Sequence, residues 1–159
     1  MSVTPAPDSR CPCGTGETYA HCCGRFHSGA GSAELSEGAA PPAPTAEALM
    51  RSRYSAYAVG GSAGVGYLLA TWHPSTRPAG LELDPATRWR RLEVLRTTAG
   101  GPFDEEGTVD FAAHYTEVDE DAGTAPSGGR GRRGVMREHS RFVREGGRWY
   151  YVDGDVAGP

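Results

Sequence analysis

Apolar residues along this chain keep two different periods, and the change falls near residue 90. Leu49, Met50, Tyr54, Tyr57 and Ala58 recur at the spacing of one helical face, after Thr45 as an N-cap residue and Glu47 in the first turn. Gly60-Gly61 ends that pattern. A second helix is predicted over Val65 to Trp72, where Tyr67, Leu68, Leu69 and Trp72 are apolar and His73-Pro74 stops it. Beyond it the period falls to two. Leu92 and Val94, then Val109, Phe111, Ala113 and Tyr115, occupy alternate positions. Met136 to Arg144 and Arg148 to Val152 complete four strands, the last two joined by a tight turn at Glu145-Gly146-Gly147. Two helices followed by an antiparallel meander predict an α+β domain over residues 45–156.

Outside that domain the pattern dissolves. Residues 1–10 read as a polar lead-in, and 28–44, rich in Gly, Ala, Ser and Pro with a single leucine, as a flexible linker. Asp119 to Gly134 reads as a long hairpin loop carrying Arg130, Arg132 and Arg133. No internal repeat is present.

All four cysteines of the chain lie between these tracts, in the run C-P-C-G-T-G-E-T-Y-A-H-C-C: Cys11, Cys13, Cys22 and Cys23. The turn-prone Gly14-Thr15-Gly16 separates two close pairs and can bring four thiolates to one point, as a tetrahedral Zn²⁺ requires. A module of this size has no core of its own, so metal binding supplies its folding free energy, about 10–16 kcal/mol in zinc-finger peptides. Four sulfurs close the coordination sphere, which makes the site structural and not catalytic. The spacing also admits a site in which His21 or His27 replaces one thiolate, or a disulfide pair in an oxidised chain.

Composition narrows the setting. The chain's 159 residues have room for one domain and a small appendage, and 23 glycines with 12 prolines imply several irregular stretches. A net charge of −4 argues against broad nucleic-acid binding. All 16 basic residues are arginine, which reads as codon usage in a GC-rich genome. Residues 1–10 lack the basic and apolar regions of a signal peptide, and no apolar stretch is long enough to span a bilayer. A soluble cytoplasmic protein is expected, where clustered cysteines bind metal more often than they pair.

The cysteine run resembles the SEC-C motif, the zinc-binding tail of the bacterial preprotein translocase motor ATPase. The resemblance places the metal ligands on Cys11, Cys13, Cys22 and Cys23 and implies a small zinc module, over residues 1–27, used for contacts with proteins or the ribosome. Thr15 keeps the hydroxyl that the motif usually carries as serine, whereas Glu17 reverses a charge that is often basic. Three further segments, A-P-T-A-E-A-L-M-R-S-R-Y-S-A-Y at 43–57, L-L-A-T-W-H-P-S-T-R at 68–77 and H-S-R-F-V-R-E-G-G-R-W-Y-Y-V-D-G at 139–154, resemble the YchJ-like bacterial family. That family is similar to the nuclear transport factor 2-like fold, a cone in which helices close over a curved antiparallel sheet. It implies a cavity at the wide end and, in many such domains, pairing into homodimers. It assigns no activity.

Side-chain type and strand parity fill that expected cavity with candidates. Arg53, Tyr54 and Tyr57 on the first helix, Trp72 after the second, and Tyr115, Trp149 and Tyr151 on the strands are the predicted pocket residues. Glu138, Asp153 and His73 are candidate acids or bases. Against these stand plainer roles: Trp72, Trp149 and Tyr151 as core aromatics, Arg53 as the counter-ion of Glu138 or Asp153, and His73 as a helix C-terminal residue facing the dipole. His114 and His139 are expected to face solvent. No phosphate-binding loop, dinucleotide fingerprint, H-E-x-x-H or nucleophile elbow is present. The favoured reading is a non-catalytic adaptor, its zinc module contacting a protein partner and its cone holding a peptide or small molecule. An isomerase, dehydratase or hydrolase and a ribosome- or RNA-associated factor are the alternatives.

Overall fold

A computed structural model describes residues 4–27, 42–118 and 131–157. The predicted linker lies outside these residues except for its last three positions, and the predicted hairpin loop except for 131–134. Those last positions do not behave as linker. Ala43 is buried, and the Pro44 carbonyl accepts the indole N–H of Trp149 at 3.2 Å.

Helix α2 (Ala46–Val59) is the central element, preceded by a 3₁₀ turn (Tyr19–His21) and by α1 (Gly24–His27). Thr45 is extended and its hydroxyl accepts from Ala48 N at 3.0 Å, a side-chain cap that fixes where α2 begins. Gly60, at φ 69°, ends α2 and also starts α3 (Gly61–Ala70), four residues earlier than the apolar pattern predicts. A Cβ on Gly64 would lie 2.4 Å from the Ala56 carbonyl oxygen, so glycine there is what lets the two helices touch. Because α3 opens with small residues, its first turn carries no periodic signal.

The sheet is a four-stranded antiparallel meander in sequence order: β1 (Thr87–Ala99), β2 (Glu106–Glu117), β3 (Arg132–Glu145) and β4 (Arg148–Val156). β1 is much longer than its apolar pattern suggests, because pairing shifts between Trp89 and Arg91 and between Val94 and Arg96 break the alternation twice. β3 begins at Arg132, inside the stretch read as loop, where exposed Arg132 and Arg133 pair with Glu117 and Thr116. α2 lies across the sheet, and Leu49, Leu68, Val109 and Phe142 are fully buried in the shared core. The segment after α3 adds to the sheet edge: Tyr151 N donates to Thr71 O at 2.9 Å and His73 N to Tyr151 O at 2.7 Å. No helix among the described residues is long and apolar enough to cross a membrane.

A third shift, between Arg141 and Phe142, has a direct consequence for the site. Phe142 pairs with Tyr151 but Arg141 pairs with Asp153, so Val152 is the extra residue of a bulge. Tyr151 faces inward while Asp153 turns to the outer face.

Candidate metal centre and cavity

The N-terminal module folds around its sulfurs. Gly14 and Gly16, at φ 85° and 91°, turn the chain between the cysteine pairs, and Cys11 N donates to Glu17 O at 2.9 Å to close the loop. The four Sγ atoms all lie within 4.8 Å of one another, with Cys13–Cys22 at 3.5 Å and Cys22–Cys23 at 3.9 Å. A tetrahedral ion with sulfur at about 2.3 Å sets its sulfurs about 3.8 Å apart, so this donor set fits a metal ion with little adjustment. No histidine joins the group: His21 Nδ1 meets the Thr18 hydroxyl at 2.8 Å, and both ring nitrogens of His27 are engaged elsewhere.

Electrostatics within the cluster favour a cation. Hydrogen bonds from Cys13 and Cys23 hold the Cys11 thiol far below the usual thiol range. Cys13 is pushed up to about 11, first by its hydrogen bond to Cys11, and Cys23 rises further through its bonds to Cys11 and Cys13 and through burial. One proton leaves readily and these neighbours then hold theirs. Positive charge at the centre is what would release them.

Nor is the module a free appendage. It is packed on the outward side of α2. The Ser55 hydroxyl lies 3.7 Å from Cys11 Sγ, Arg51 Nη1 donates to the Cys13 carbonyl at 3.1 Å, and His27 Nε2 donates to the Ser52 carbonyl at 2.8 Å. His27 Nδ1 therefore accepts from the Tyr19 hydroxyl, at 2.7 Å, and burial holds the imidazole below its ordinary pKa. The Ser52 hydroxyl meets that of Tyr67 at 2.6 Å. Cys11, Cys13, Cys23 and Phe26 belong to the same core as Leu49 and Leu68.

The opposite side of α2 covers a cavity of about 170 Å³. Met50, Arg53, Tyr54 and Tyr57 line it from the helix; Trp89, Phe111, Met136, Glu138, Phe142 and Tyr151 are among its walls on the sheet. Of the predicted pocket residues, Arg53, Tyr54, Tyr57, Tyr151 and the acid Glu138 are brought together. Tyr115 is not: its ring lies over Gly134 and edge-on to Trp89, centroids 5.6 Å apart. Trp149 is a core residue, and Trp72 stacks behind Arg53, so neither reaches the cavity wall. Asp153, turned out by the bulge, pairs with Arg141 at 2.5 Å. His73 also lies outside, near Ser75 and Glu145, with its Nε2 3.0 Å from the Glu145 carboxylate. His114 and His139 stand on the outer face beside Glu93 and Asp110.

Arg53 is not the ion-pair partner of either acid. Only 5% exposed, it donates from Nη1 to Leu68 O at 2.8 Å and to the Thr71 hydroxyl at 2.7 Å. Its guanidinium carbon sits 4.5 Å from the Tyr151 ring and 5.1 Å from the Trp72 ring. Burial lowers its pKa, opposed by nearby tyrosines and Glu138. Glu138 Oε1 accepts from the Tyr151 hydroxyl at 2.7 Å and from Ser140 at 3.0 Å. Trp89, Met50, Phe111, Met136 and Phe142 are cavity residues that side-chain type did not single out, and for Trp89 the bulge after it hid the strand parity.

Residues 45–154 match the model of the YchJ middle NTF2-like domain, and residues 9–25 match the SEC-C motif. The chain belongs to the YchJ-like UPF0225 family. UPF0225 relatives from Streptomyces coelicolor and Chromobacterium violaceum are 46% and 51% identical to it. The matches cover 94% and 92% of this chain and 97% and 93% of theirs. A SEC-C motif containing protein from Rhodopseudomonas palustris, solved in solution, matches this YchJ-like chain with a TM-score of 0.67 at 29% identity. That match covers 94% of this chain and 99% of the other.

Proposed function

We propose that this YchJ-like chain is a zinc-stapled, non-catalytic binding protein whose cone cavity holds a small molecule. The observation that carries this reading is the cavity itself: aromatic walls around a buried arginine and a carboxylate that do not pair with each other. Apolar concavity with a few convergent polar groups is the usual character of a ligand site. At about 170 Å³ the space suits a compact molecule better than a peptide. Zinc is the metal that four clustered thiols select in a site with no redox task. With its inner side spent on α2, the module keeps the exposed turn at Thr15, Gly16 and Glu17 for a protein partner.

Native mass spectrometry of the full chain tests both parts. One zinc per chain is expected, and after incubation with a panel of small aromatic compounds, neutral, anionic, cationic and zwitterionic, an adduct that disappears on denaturation. A chain prepared without chelator that carries no stoichiometric metal, or that retains none of the compounds, overturns the corresponding part.

One observation favours a second reading. Glu138 is the sole acid on the cavity wall among the described residues, and two hydroxyls hold its Oε1. That is the placement of a general base in an isomerase or dehydratase. Turnover of a bound compound, abolished by Glu138→Gln with binding retained, would establish it.

A further inference from the structure

The cavity's two charged groups restrict what can occupy it. Arg53 spends both Nη1 hydrogens on Leu68 O and Thr71, and among the described residues no acceptor meets its Nε or Nη2. Among the described residues no carboxylate forms an ion pair with it. The rings of Trp72 and Tyr151, edge-on to each other with centroids 5.2 Å apart, lie 5.1 and 4.5 Å from the guanidinium carbon, and Nε with Nη2 form an unused fork. Such a fork matches a carboxylate in geometry and charge. Across the cavity, Glu138 Oε1 is satisfied by Tyr151 and Ser140, while among the described residues nothing donates to Oε2.

Charge balance then separates the possible ligands. A simple carboxylate placed on Arg53 would leave this partly buried site with one uncompensated negative charge, a costly arrangement beside the buried Arg53. A simple amine placed on Glu138 leaves an extra positive charge. A purely apolar ligand strands both groups in a drier cavity. A molecule that carries an anion and a cation together satisfies both walls at no net charge. The aromatic lining accepts an apolar body, and the volume allows one of about ten heavy atoms, where ordinary ligand pockets reach roughly 300–1,000 Å³.

Resting on the small-molecule reading above, we infer that the cavity binds an apolar α-amino acid as its zwitterion, carboxylate on the Arg53 fork and ammonium on Glu138 Oε2. Tyr57, Trp89 and Phe142 enclose the side chain. Arg53 is the specificity residue for the acid end and Glu138 for the amine end.

Calorimetric titration of the metal-loaded full chain tests this with four probes: L-phenylalanine, 3-phenylpropanoate, phenethylamine and indole. Phenylalanine is expected to bind at least tenfold more tightly than phenylpropanoate or phenethylamine, because each of these leaves one charge unmatched. Glu138→Gln, which keeps the shape and the acceptor oxygen, is expected to remove that advantage over phenylpropanoate. If indole binds and phenylalanine binds no better than its deaminated or decarboxylated analogue, the amino-acid assignment is overturned and the small-molecule reading stands. If none of the four binds, the small-molecule reading falls with it.

Discussion

The hydroxyl of Ser55 sits 3.7 Å from Cys11 Sγ, so a fully buried residue of α2 completes the surroundings of a sulfur 44 positions away in sequence. Two residues earlier on the same helix, Arg53 lines the cavity. One element of fourteen residues thus supports the sulfur cluster on one side and the ligand space on the other.

Ser55→Ala should weaken metal binding by about 10- to 100-fold, the ordinary cost of losing an outer-sphere hydrogen bond to a ligand. Competition with a chromophoric chelator measures this, and circular dichroism checks that the fold is kept. Unchanged affinity would mean that Ser55 is only filler.

Metal withdrawal should destabilise the whole chain, since Cys13 and Cys23 share a core with Leu49 and Leu68. One calorimetric transition is expected, its Tm lowered by about 10 °C, as a loss near 3 kcal/mol implies at this size. A separate low-temperature step with the main transition unmoved would show that the module is independent.

Leu68→Ala should cost about 2–5 kcal/mol in urea unfolding, because the side chain is fully buried in the core. Gly64→Ala should cost about 1–3 kcal/mol by forcing α3 away from the Ala56 carbonyl, despite alanine's better helix propensity. Stabilisation by that alanine would contradict the close helix contact.

Alkaline stability follows from Tyr67. Burial pushes its phenol up to about 12, against an ordinary value of 10. A raised pKa gives stability that is complete below pH 10 and is lost as pH rises from 10 through 12. Two units correspond to about 2.7 kcal/mol. Urea midpoints measured across this window should fall less steeply in Tyr67→Phe than in the parent chain.

His73→Ala and Asp153→Asn should change ligand affinity by less than about twofold, since both residues lie outside the cavity. A tenfold loss in either would place it in the binding path.

Much of this was legible from the chain. The cysteine spacing pointed to a metal cluster because local turn geometry brings those residues together, although it left open whether His21 or His27 replaces one sulfur. The α2 pattern and its Thr45 cap were equally readable. What escaped were the places where alternation slips. The bulge at Val152 reverses the face of Asp153, and the irregularity after Trp89 conceals a principal wall of the cavity. Counting residues in twos cannot detect an inserted one. Nor could sequence show that the cysteine module is docked, since Ser52 and Ser55 look like ordinary polar interruptions of a helix until the side they face is known.

That docking bears on any attempt to transplant the motif. The cysteine module is not a portable cassette: a host scaffold would have to present a small hydroxyl, an accessible backbone carbonyl one turn before it and a guanidinium beside them to receive the graft. Copies of the same cysteine spacing in other chains should accordingly differ in how tightly they hold their ion, according to the helix each one rests on.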